Sequence, residues 1–323
     1  MTLGLSSCAA SRNTIGVFAH PAPLVFHTHQ GQILSPQGSA FIARGVNLQY
    51  GDNPTAALPA MAAISSVNAN IVRLQLRKTT TAVQLRAALD EAVRLKLPVM
   101  VFYWESYITC GEDAAVLKAD VQALWLKRWA GVLSDPKYQP YLMLNIANEW
   151  GTSKADYASY LATYTDLIKA MRAKGYRTPL VIDAADCGAN TESFLNGRGQ
   201  TLVAADPLHN LIASVHAYHD VWNSHTKIDQ NIDDLIGTGI PFLLGEFGDT
   251  ELDLPNDAVD HNYLMQTAKA KSVGWIVWSW KGNGKETRML DLSDSYGEAK
   301  LTRRGQQIVN GPYGLQATGQ TLR

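Results

Sequence analysis

The sequence predicts an α/β fold, a (β/α)8 TIM barrel in one domain, with a small N-terminal β-hairpin capping the barrel bottom. Three observations carry this. Eight short apolar runs alternate with longer amphipathic stretches, at residues 40–48, 70–76, 98–103, 141–147, 179–183, 211–216, 241–247 and 274–278. The runs are apolar at successive positions and rich in β-branched and aromatic residues, the pattern of parallel strands covered on both faces. A doubly wound open sheet would want a glycine-rich phosphate-binding turn after an early strand, and this chain has none.

Taken in order, residues 22–40 read as the hairpin, with Val25-Phe26-His27-Thr28 and Gln32-Ile33-Leu34 around Gln30-Gly31. The barrel follows, with helices expected at 81–95, 114–130, 154–174 and 257–270 among the connections. Ser153 before Lys154 and the Pro255-Asn256-Asp257 segment are helix starts, and Lys174-Gly175 closes a helix with a cation and then a glycine. The tail 310–323 is expected to lie on the surface or fray. The catalytic domain is assigned to 22–323, and residues 1–21 to a truncated, lipobox-like signal or a disordered N-terminal segment.

Composition narrows the function. With 323 residues, 46% of them hydrophobic, the chain can bury a large core. A net charge of −1 argues against a nucleic-acid or membrane-surface role driven by bulk electrostatics. No apolar run reaches the roughly 18 residues of a membrane span. Eight Trp and 13 Tyr suit sugar stacking and an ordinary large core alike. Leu5-Ser6-Ser7-Cys8-Ala9 either is a bacterial lipobox behind a truncated signal, which would make this a secreted or cell-envelope protein with a lipid anchor at Cys8, or matches one by chance. Cys110 and Cys187 either pair in an oxidising compartment or remain buried thiols.

Chemistry concentrates at the ends of the runs, where a barrel keeps its working residues. Asn145-Ile146-Ala147-Asn148-Glu149-Trp150 and Leu244-Gly245-Glu246-Phe247-Gly248 each close an apolar run with a glutamate. A buried carboxylate needs a partner or a task, and two facing one cleft are the equipment for cutting a glycosidic bond. The other run ends supply Asn47, Arg73, Trp104 with Glu105, Asp183, His216 with Tyr218, and Trp278 with Trp280. His216-Ala217-Tyr218-His219 lacks the further Cys or His cluster a metal site would want, so neither metal nor cofactor is expected.

Six segments in order resemble glycoside hydrolase family five, closest to its bacterial β-mannanase branch. They are Ala43-Arg44-Gly45-Val46-Asn47, Ala69-Asn70-Ile71-Val72-Arg73, the two glutamate segments, Ser214-Val215-His216-Ala217-Tyr218, and the stretch from Val273 to Asn283. The resemblance implies a retaining, endo-acting β-glycosidase that works as a monomer on a polysaccharide or oligosaccharide. β-Mannan is the first expectation. A β-1,4-glucanase, another hemicellulase or a transglycosylase is the alternative, and a glycan-binding lipoprotein is the non-enzymatic one.

Implied roles follow residue by residue. Glu149 is the general acid/base, and the charge of Glu246 would hold its proton until glycosylation removes that charge. Glu246 is the nucleophile, oriented by Arg73 and Tyr218. Asn148 would bind the sugar 2-hydroxyl, His216 would tune Glu149, and Trp278 would floor the cleavage subsite. Trp150 is assigned to substrate stacking as well, and Trp280 to core packing. Two positions depart from the family pattern. Trp104 stands where a sugar-contacting His is usual, and Asp186-Cys187-Gly188 where mannanases tend to carry a Trp. Trp104 would therefore reshape the subsite or offer a new stacking surface.

Overall fold

The computed structural model describes residues 24–152, 156–248 and 258–320. Eight parallel strands form a closed barrel: β3 (Arg44–Leu48), β4 (Ile71–Leu76), β5 (Val99–Tyr103), β6 (Leu142–Asn145), β7 (Leu180–Asp183), β8 (Leu211–Ala217), β9 (Phe242–Phe247) and β10 (Gly274–Val277). β10 pairs with β3 and closes the circle. The hairpin is β1 (His27–His29) with β2 (Gln32–Leu34), turning at Gln30 and Gly31, both at positive φ as a tight two-residue turn needs.

Alternation along the strands sorts side chains into two cores. Ile71, Met100, Met143, Val181, Ile212, Leu243 and Ile276 form one buried layer near the strand starts, with Phe26 and Phe41 packed edge-to-face against each other in it. Phe26 is the residue before β1, and Asn210 donates to its carbonyl at 3.1 Å, so the hairpin region plugs the lower mouth. Residues one step along, such as Val72, Val101, Leu144, Ile182 and Leu244, join the larger cluster beneath the helices.

The helices follow their sequence signals with three corrections. Ala82–Leu95 carries a full capping box between Thr81 and Gln84. The single helix expected at 114–130 is Ala114–Ala123, a wide π turn at Leu124–Arg128, and Ala130–Leu133. There Trp125 and Trp129 are both buried edge-to-face at 5.4 Å, and their indole N–H groups reach the carbonyls of Ile146 and Thr80. Two helices begin later than expected. Asp156 caps Tyr157–Lys174 and Asp260 caps His261–Ala270. Ser153 and the Pro255-Asn256-Asp257 signal lie outside the described residues, as do Cys8 and the lipobox-like segment. The tail does not fray through residue 320. Leu315 is buried, Asn68 donates to the carbonyls of Leu315 and Gly319, and Arg44 reaches the Thr318 hydroxyl.

Candidate active site

A one-residue bulge aims the second glutamate. β8 and β9 pair in register to Val215 with Leu244, after which His216 pairs with Glu246, leaving Gly245 as the extra residue. Strict alternation from inward Leu243 would make Gly245 and Phe247 inward and send Glu246 out toward the helices. Instead Phe247 packs outside on Trp275, and Glu246 faces the interior beside His216. Glycine is required at the bulge, because a Cβ on Gly245 would lie 2.2 Å from the Ser214 hydroxyl and 3.0 Å from His216 Nε2.

Arg73 is the hub of the site. Its fully buried guanidinium lies over the Phe102 ring at 3.8 Å. Nη1 donates to Glu246 Oε1 and to Asn47 Oδ1 at 2.9 Å. Nη2 donates to Asn145 at 2.7 Å, to Asn148 Oδ1 at 2.9 Å and to Asp183 Oδ2 at 3.1 Å. Tyr218 donates its hydroxyl to Glu246 Oε2 at 3.2 Å, and its own ionisation is pushed far up by burial and by the charge of Glu246. Burial pushes the Glu246 carboxyl above its ordinary value. His216 and Arg73 oppose that, while Glu149 and Asp183 add to it.

Glu149 sits on a left-handed backbone turn, at φ 51. Its Oε1 meets His216 Nδ1 at 2.7 Å and its Oε2 accepts from Asn148 Nδ2 at 3.0 Å. Its amide donates to Asp183 Oδ2 at 3.1 Å. His216 is wholly buried, which disfavours its charge, yet Glu246, Asp183 and Glu149 together hold its pKa up at about 10. Burial likewise works against the Asp183 charge, and His216 and Arg73 outweigh it and hold the carboxyl down at about 2. Three carboxyls therefore share two basic partners, Arg73 and His216. Asp183 is the member of this network that the sequence marks only as a run end. Its signal was the same as that of the two glutamates, a charge closing an apolar run.

Donor atoms of Glu149, His216 and Glu246 all lie within 4.8 Å of one another, a spacing a metal ion would also accept. His216 Nδ1 is already engaged by Glu149 at 2.7 Å and Arg73 already neutralises Glu246, so this cluster suits proton transfer better than a cation.

The aromatic residues divide. Trp278 is partly exposed, and its indole N–H is fixed by Asn283 at 2.8 Å. Trp104 is partly exposed, but the Arg77 guanidinium lies 4.5 Å over its ring and is itself tied to Glu105 and Asp52. One indole face is thus covered. Trp150 is corrected: it is only 3% exposed, stacked on Tyr160 at 6.2 Å with its edge toward Tyr164, and so is core rather than a sugar platform. Trp280 is buried, its N–H on the Tyr296 carbonyl. Cys110 and Cys187 form a disulfide.

A closed (β/α)8 barrel with paired glutamates after its fourth strand and at the end of its seventh, locked by an Arg-His-Asp network, defines a glycoside hydrolase. Residues 34–284 match the family model described as cellulase (glycosyl hydrolase family 5), and the chain belongs to that family. A mannan endo-1,4-β-mannosidase of Salipaludibacillus agaradhaerens is 29% identical over 303 residues, covering 91% of this chain and 94% of the relative. One of Streptomyces lividans is 29% identical over 301 residues, covering 91% and 76%. The solved catalytic domain of a mannanase from Streptomyces sp. SirexAA-E is similar at a TM-score of 0.83 with 26% identity, covering 97% of each chain.

Proposed function

We propose that this chain cleaves β-1,4-linked mannan internally, with retention of anomeric configuration. The observation that carries the reading is the approach of the two carboxylates, one oxygen of each within 4.8 Å of the other. Retaining enzymes hold the pair about 5–5.5 Å apart, whereas inverting ones leave about 6.5–9.5 Å for a water.

Glu246, ionised between Arg73 and Tyr218, attacks the anomeric carbon. The proton that the leaving oxygen needs belongs to the Glu149–His216 pair, joined at 2.7 Å, rather than to either group alone. Once Glu246 is esterified its charge is gone, and the same pair takes a proton from water, which then breaks the ester. Asn148, held by Arg73 and beside Glu149, would bind the sugar 2-hydroxyl, and the partly exposed Trp278 would stack beneath the ring. The mannan assignment draws on the activity named for the relatives. Trp104 is the residue that would tune it.

The disulfide supports an oxidising location outside the cytoplasm, and the lipobox-like segment at Cys8 supports an anchored form. Incubation with mannan, glucomannan, cellulose and xylan, with product sizing and early NMR of the new anomer, tests the reading. Short β-anomeric manno-oligosaccharides are expected first. Turnover of cellulose or xylan but not mannan would overturn the substrate, and an α-anomer formed first would overturn the mechanism.

A further inference from the structure

The disulfide flanks the acid/base. Cys110 lies in the loop after β5 and Cys187 in the loop after β7, on either side of the loop after β6 that carries Glu149. The Cys110 amide donates to the Glu149 carbonyl at 2.8 Å, and the Gly151 amide donates to the Gly111 carbonyl at 2.8 Å. From the other side, the Cys187 amide donates to the Gly151 carbonyl at 3.3 Å, and the His216 amide donates to the Gly188 carbonyl at 2.8 Å. Gly188 presses on the proton-carrying pair. A Cβ there would lie 2.7 Å from His216 Nδ1 and 3.0 Å from Glu149 Cγ.

Four non-glycine residues in these loops adopt positive φ: Cys110 at 56, Glu149 at 51, Asp186 at 57 and Cys187 at 50. Side chains avoid that region, and a group of residues held in it persists only where the surroundings over-determine the backbone. Two peptide segments gripping one turn do this best when they cannot separate. The S–S bond between Cys110 and Cys187 prevents their separation.

We propose that the Cys110–Cys187 disulfide is a positioning device for acid/base catalysis. It ties the two loops that hold the turn at residues 149–151, and so keeps the Glu149 carboxyl against His216 Nδ1 and aimed at the leaving oxygen. The proposal rests on Glu149 being the acid/base. An ordinary staple would affect stability and leave the chemistry of proton donation alone.

The test uses two substrates of one sugar: the oligosaccharide found by the polysaccharide screen, whose departing sugar needs a proton, and the 2,4-dinitrophenyl glycoside, whose leaving group does not. kcat/KM is measured for the wild type, the Cys110→Ala/Cys187→Ala double variant, and folded wild type reduced by dithiothreitol. The reagent delivers two electrons and two protons to give two thiols while closing to its own cyclic disulfide. Breaking the bond should lower kcat/KM on the oligosaccharide by about ten- to a hundredfold, the scale of a misplaced catalytic group, and on the aryl glycoside by less than about threefold. Reoxidation should restore the loss. In a Glu149→Ala background, removing the disulfide should change neither rate further. If the double variant does not fold, the reduced wild type, with its fold checked by circular dichroism, carries the comparison. Equal loss on both substrates, or none on either, overturns the proposal if Glu149→Ala alone still discriminates between leaving groups. If Glu149→Ala does not discriminate, the acid/base reading itself fails and takes the proposal with it.

Discussion

His216 and Asp183 are both fully buried with Nε2 and Oδ1 3.5 Å apart, and the opposite nitrogen of the ring is 2.7 Å from Glu149. Asp183 Oδ2 also takes the Glu149 amide and an Arg73 N–H, so one carboxylate braces the supports of both Glu149 and Glu246. The site behaves as one electrostatic unit, and its members should not act additively when changed.

The first prediction concerns pH. The His216 pKa of about 10 lies above its ordinary 6.5, so the stability this ring contributes is complete below pH 6.5 and lost as pH rises toward 10. Asp183, at about 2 against 3.8, contributes stability that is complete above pH 3.8 and lost as pH falls toward 2. Urea unfolding between pH 7 and 10 should show stability falling by up to about 1.4 kcal/mol per pH unit, the slope for one proton. His216→Gln should flatten that slope. A slope unchanged in the variant would assign the proton to another group.

Glu246→Ala should lower kcat at least about a thousandfold, because no covalent intermediate can form. Azide, small enough to enter the vacated space, should restore part of the rate on an aryl glycoside and yield a glycosyl azide of inverted configuration. Near-wild-type hydrolysis by the variant would remove Glu246 from the nucleophile's role.

Arg73→Lys keeps the charge but not the fork that reaches five side chains at once. Leaving Glu246 and Asp183 poorly paired in the interior should cost about 3–5 kcal/mol in a denaturant titration and lower kcat together with it. A lysine variant of full stability would show that the charge alone suffices.

Trp104→Ala removes a half-covered indole from the rim of the third barrel strand. If the open face meets sugar, KM for oligosaccharides should rise about three- to tenfold with kcat little changed, the signature of lost uniform binding. An unaltered KM would place Trp104 off the substrate path and leave it as the seat for Arg77.

Much of this architecture could be read in the chain. Strands covered on both faces must be apolar at successive residues, so all eight were legible with ends displaced by a few positions. Glu149 and Glu246 were legible because a charge closing such a run is too costly to be incidental. Asp183 carried the same mark but not its meaning, since its partners Arg73, His216 and the Glu149 amide come from three other strands or their following loops. Trp150 reads as a stacking residue in the sequence because an indole beside a run-closing glutamate looks the same there whether it faces sugar or Tyr160.

The sequence by itself determined the barrel, the two glutamates and their family, because burial periodicity and the cost of buried charge are local properties of the chain. The tertiary structure alone decided how the glutamates face one another. Period-two alternation would send Glu246 outward, and only the unpaired Gly245, admitted where β8 and β9 shift register, turns it in beside His216. It also decided that Cys110 and Cys187, 77 residues apart, meet over the Glu149 turn. Register and loop closure depend on which strands become neighbours, and that is settled only when the barrel closes.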